Sequence, residues 1–125
     1  MEYEKFESYS SYGEDAIFNG VLKRLSWIMQ EDLFVTKTYI DIGSFHPVKD
    51  SNTYFLYKLG WYGTLVDPNN YFNALVHELR PNDILYNCAV DIDAGMKEFY
   101  MFGDMDSSNT LSPEFAERKQ SSQHT

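Results

Sequence analysis

The amino-acid sequence predicts an α/β fold, a parallel sheet with helices packed on it, contained in a single domain. Three observations carry that expectation. Short β-rich runs alternate with stretches of helical periodicity, the order that right-handed β-α-β crossovers produce. Each of the three runs leads into an aspartate, Asp41, Asp67 or Asp91. With 125 residues, 43% of them apolar and 17% aromatic, the chain can bury one modest core but not two.

The elements follow in order. A helix is expected over residues 14–30, because Glu14 and Asp15 suit the positive end of its dipole and Ile17, Val21, Leu25 and Ile28 repeat at helical spacing. Residues 38–42 are a β-rich run stopped by Gly43, the first core strand. After Pro47, Asp50 or Ser51 can cap a helix that carries Tyr54, Phe55 and Leu59 and stops at Gly60. Residues 64–66 form the second strand, and Pro68 is placed to start a helix marked by Tyr71, Phe72, Leu75, Val76 and Leu79 and ended by Pro81. A third strand is expected over 84–90 and a fourth, paired back on it after a turn at 91–95, over 97–102. Residues 1–12 read as a lead-in and 118–125 as a frayed tail.

Charge and composition exclude several function classes. Nineteen acidic against ten basic residues give a net charge of -9, which repels polyanions, so neither nucleic acid nor an anionic membrane surface is an expected partner. Cys88 is the single cysteine, so no internal disulfide and no thiolate metal cage can form, and its apolar neighbours predict a core position. The first eleven residues are polar and acidic, unlike a signal peptide, and no apolar run reaches the roughly 18 residues of a membrane span. A cytoplasmic protein is expected.

In an open parallel sheet, ligands bind beyond the carboxyl ends of the strands, where the loops diverge. Asp41, Asp67 and Asp91 are expected along that edge. Gly43 lets the backbone turn tightly and approach a ligand. Asp67 follows about 24 residues further on, where dinucleotide-type folds place an acid that accepts hydrogen bonds from ribose hydroxyls. The run from Gly43 to Val48 holds one glycine, with Phe45, His46 and Pro47 where a pyrophosphate-binding turn needs two more, so a nicotinamide or flavin is disfavoured against a ligand without phosphate.

The run from Ile40 to Tyr54, with Leu59-Gly60-Trp61-Tyr62-Gly63 and Leu65-Val66-Asp67-Pro68-Asn69, resembles the FkbM-type S-adenosylmethionine-dependent methyltransferases, and Ser11-Tyr12-Gly13-Glu14-Asp15 is similar to that family's leading segment. The likeness covers residues 11–112. It implies a Rossmann-like methyltransferase fold with S-adenosylmethionine as cofactor and a sugar or small metabolite as methyl acceptor. It further implies that Asp41, Gly43 and Ser44 face the methionine part, that Ser51 and Asn52 add polar contacts near its carboxylate, that Asp67 holds the ribose with Pro68 and Asn69 beside the adenine, and that Asp91 approaches the adenine edge. The family's later Leu-Asp-x-Leu and Lys-x-Asp-x-Glu-Gly segments do not occur before Thr125, so the resemblance implies an incomplete domain.

Smaller signals each have a plainer reading. His46 has the chemistry of a general base on an acceptor hydroxyl, against a role in orienting its turn. Asp104-Met105-Asp106 has the spacing of a glycosyltransferase metal pair, against a polar loop. His77 is expected on a helix surface and His124 in the tail, and without a histidine pair at helical spacing no zinc site is expected. Beside the enzyme stands a second hypothesis, a truncated, non-catalytic cofactor-binding or assembly module, whose unpaired strand edge and uncovered apolar faces would drive homodimerisation.

Overall fold

The computed structural model describes residues 4–123. The chain forms two compact units, one ending at Cys88 and one beginning at Ala89.

The first unit is α/β. Its elements are α1 (Glu14–Met29), β1 (Thr38–Ile42), α2 (Tyr54–Lys58), β2 (Tyr62–Val66), α3 (Asn73–Leu79) and β3 (Ile84–Tyr86). The strands make an open three-stranded sheet, order β1-β2-β3, parallel throughout. Thr64 lies between Ile40 and Ile84, and Val66 between Ile42 and Tyr86, so these six share one face. Tyr39, Asp41 and Leu65 belong to the other. Gly63 is required where it stands, because a Cβ there would lie 2.0 Å from the carbonyl oxygen of Tyr39.

The core clusters Leu22 of α1, Phe55 and Leu56 of α2, and Trp61, with Tyr9, Leu33, Phe34 and Tyr39 packed on it. Burying each of those four side chains contributes about 2 kcal/mol, enough to hold two short or marginal helices that propensity alone would not. Asp15 is fully buried and accepts hydrogen bonds from Ser8 Oγ and the amides of Tyr9, Ser10 and Ala16, tying the lead-in to the start of α1. Burial pushes this carboxyl up, but the four donors outweigh it and hold it below its ordinary value.

Several boundaries differ from expectation. The stripe Ile17, Val21, Leu25 and Ile28 is exposed, and α1 buries Asp15 and Leu22 instead. The third helix starts at Asn73 rather than after Pro68, because Asp67 and Asn69 side chains take the amides of Asn69 and Tyr71 and hold the chain in turns. The third strand ends at Tyr86, where the Asn87 side-chain amide turns to the carbonyl oxygens of Asp67 and Asn69 and to Asn73. Cys88 is exposed, not core.

In the second unit no strand covers 97–102; one antiparallel bridge joins Tyr100 to Thr110. Asn109 satisfies the Phe102 amide and reaches the Gly103 carbonyl, which closes the segment on itself. Helix α4 (Pro113–Gln123) replaces most of the expected frayed tail, with Ser112 Oγ accepting from the Phe115 amide at its start. His124 and Thr125 lie outside the described residues. No helix among the described residues is long and apolar enough to cross a membrane.

Candidate functional site

The carboxyl ends of β1 and β2 lie side by side, and the residues that leave them form one interlocked turn. The amides of Gly43 and Ser44 both donate to the carbonyl oxygen of Val66, at 2.7 and 3.2 Å. The Phe45 amide donates to Asp67 Oδ2 at 2.8 Å, and the Asn69 amide to Asp67 Oδ1 at 2.9 Å. Asp67 is therefore a buried brace between the two loops, with each oxygen already accepting one backbone donor. A carboxylate oxygen has a second acceptor direction, so the brace keeps capacity for a hydroxyl.

This bracing holds the backbone in uncommon conformations. Gly43 has φ 77°, and Phe45, a bulky residue, has φ 50°. A positive φ at a bulky residue persists only where surroundings impose it, and here they are the Asp67 bond and the edge of the Phe72 ring at 5.0 Å from the Phe45 ring. A Cβ built on Gly43 would meet nothing within 4 Å, so the space beside it is open. Between them sits Ser44, 7% exposed, whose Oγ is the one buried side-chain polar atom among the described residues with no hydrogen-bond partner.

His46 takes the orienting role. Its Nδ1 accepts from the amides of Val48 and Lys49 at 3.0 and 2.9 Å, and its ring lies against Phe72. Burial, then the Lys49 charge, lowers its pKa, with Asp50 opposing. The neutral ring with its proton on Nε2 is the form that accepts two amides.

The structure thus brings Asp41, Gly43, Ser44, Asp67 and Asn69 to one edge of the sheet, with Pro68 between the last two. Ser51 and Asn52 serve elsewhere. Ser51 is 2% exposed, and its Oγ accepts from the amides of Thr53 and Tyr54 as a cap for α2 and from Arg80. Asn52 lines a separate cleft of about 400 Å³ walled by Phe18, Tyr39, Leu56 and Trp61. Asp91 falls in the second unit, five residues past the end of β3, so it is not a strand-end carboxylate. It pairs with Lys97, whose hydrogen bond, with that of the Ile92 amide, lowers its pKa.

Asp106 is bound by Lys119 and by Ser108, bonds that draw its pKa down to about 2. Among the described residues no group of three histidine, cysteine, aspartate or glutamate side chains could hold a metal ion. His77 is exposed, as expected.

Sequence reasoning missed a buried network behind the site. Arg80, 1% exposed, directs its five N–H donors to Asp83 Oδ2 (2.7 Å), the Pro47 carbonyl (3.1 Å), Ser51 Oγ (3.3 Å), Tyr39 Oη (2.8 Å) and Thr53 Oγ1 (2.9 Å). Asp83 also accepts from Tyr39 Oη at 2.6 Å and the Gly63 amide at 2.8 Å. Burial and the bond to Asp83 hold the Tyr39 phenol well above its ordinary pKa. Thr53 Oγ1 in turn donates to Asp41 Oδ2 at 2.6 Å. The Arg80-x-x-Asp83 spacing and the shared strand face of Tyr39 and Asp41 were the available signals.

No protein-family model, no curated protein and no solved structure matches this chain, so its functional reading rests on this geometry and on the residues that form it.

Proposed function

We propose that the first unit is the cofactor-binding part of an S-adenosylmethionine-dependent methyltransferase of FkbM type, acting on a hydroxyl of a sugar or small metabolite. The observation that carries the reading is the buried, unpartnered Ser44 hydroxyl beside the open flank of Gly43, at the carboxyl edge of a parallel sheet. A buried hydroxyl left unpaired costs about 1–3 kcal/mol, so its placement in a strained turn favours a ligand group that pairs with it.

The residues present fit such a cofactor. Ser44 Oγ and the free oxygen of Asp41 offer polar contacts to its amino-acid end. Asp67 keeps acceptor capacity for a ribose hydroxyl, and its negative charge disfavours a ribose phosphate. The cofactor supplies a methyl group already activated on a sulfonium, so the protein's share is positioning and exclusion of water. His46 is an orienting residue in this reading, because Nδ1 is occupied by two amides.

Calorimetric titration of the purified chain with S-adenosylmethionine, followed by methyl transfer to hydroxylated acceptors, tests it. Saturable binding with transfer is expected; a well-folded chain that takes up no cofactor contradicts the reading. A second reading has its own observation. Ile40, Ile42, Ile84 and Tyr86 form an apolar sheet face, each more than half exposed. That face favours a non-catalytic binding or assembly module that pairs with a second copy of the chain. Cofactor binding without transfer supports this alternative.

A further inference from the structure

Arg80 is itself buried behind the candidate site, yet one of its hydrogen bonds bears on the site's edge. A guanidinium can only donate, so where Arg80 Nη2 meets Thr53 Oγ1 at 2.9 Å the threonine must accept. The single Thr53 hydroxyl proton is then directed to Asp41 Oδ2, 2.6 Å away. The chain of donors has one sense, Arg80 to Thr53 to Asp41. Its far end is the last inward-facing residue of β1, just before Ile42-Gly43, and Asp41 Oδ1 takes no donor among the described residues.

We infer that Arg80, acting through Thr53, is a positioning residue that fixes Asp41 with Oδ2 turned inward and Oδ1 presented as an acceptor to the α-ammonium group of the ligand. The inference rests on the cofactor reading above and adds to it a direction of hydrogen bonding that the loop alone does not impose. The same guanidinium holds the Pro47 carbonyl and Ser51 Oγ, so the far side of the Gly43 loop is anchored to the same point. All five donors are used, which leaves the side chain one rotational arrangement.

The direction makes an unusual demand on substitutions. In Asp41→Asn the amide must turn its oxygen to the Thr53 proton, and its NH2 group then faces the ligand's cation. Asp41→Ala removes the charge without presenting that group. Calorimetry on the full chain with S-adenosylmethionine, and with 5′-methylthioadenosine, which keeps the adenosine but has neither the ammonium nor the sulfonium, reads the difference. Asp41→Asn is expected to bind S-adenosylmethionine more weakly than Asp41→Ala. Thr53→Val is expected to lose about tenfold for S-adenosylmethionine, with methylthioadenosine unchanged and Thr53→Ser restoring the wild-type value.

Equal binding by Asp41→Asn and Asp41→Ala, or parallel loss of both ligands in Thr53→Val, overturns the inference while leaving the cofactor reading in place. Should Thr53→Val fail to fold, the two Asp41 variants decide alone, since that side chain is only half-buried. A folded wild-type chain that binds neither ligand overturns the cofactor reading and the inference with it.

Discussion

At the scale of single residues, the Gly43 turn is organised by side chains that spend themselves on backbone. Asp67 accepts from Phe45 and Asn69, and His46 accepts from Val48 and Lys49, so a loop with few apolar contacts still has one conformation. Ser44 is the exception, buried with nothing to bond, and the contrast with its neighbours is what singles it out. His46 gives the turn a pH dependence. Its folded-state pKa lies below the ordinary 6.5, so its contribution to stability is fully present above that value and is lost as the pH falls through the folded pKa. Protonated Nδ1 can accept neither amide. Thermal melts between about pH 7 and pH 5 are expected to show the wild-type chain losing stability faster than His46→Asn. Coincident profiles for the two proteins would remove His46 from the account of the loop.

Among the elements, what could be foreseen from the sequence was whatever local rules decide. Helix α1 came within one residue of its expected end, with its acidic first turn in place, although the apolar stripe that marked it does not face the core. The strands β1 and β2 and the glycine turn follow such local rules. What was missed depends on side chains meeting across distance. Asn87 stops β3 four residues early, Asp67 and Asn69 delay α3, and Arg80 reaches back to residues on three earlier segments; none of these is a periodicity. The sheet itself carries an element-scale prediction. Ile40 and Ile42 on β1 and Ile84 and Tyr86 on β3 are 71, 62, 59 and 55% exposed on one face, and β1 is an edge strand. Such a surface drives association. Sedimentation velocity over a concentration series is expected to show reversible self-association of the chain, reduced in Ile42→Lys. A wild-type chain that stays monomeric throughout would show that this face is tolerated in water.

On the scale of the whole molecule, the first unit holds every residue of the Gly43–Asp67 site, while Asp91 and the Asp104–Asp106 pair belong to the second, where Lys97 and Lys119 neutralise Asp91 and Asp106. The whole chain carries a net charge of -9. The proposed binding is local: a small molecule with an α-ammonium group and a ribose sits where the ends of β1 and β2 meet. Amide chemical shifts report this residue by residue. In a titration of the isotope-labelled full chain with S-adenosylmethionine, the amides of Gly43, Ser44, Phe45, Asp67 and Asn69 are expected to shift together and to saturate at one ligand per chain. A well-dispersed spectrum in which those amides stay fixed, or in which the shifts fall instead around the cleft of Phe18, Asn52 and Trp61, would contradict it.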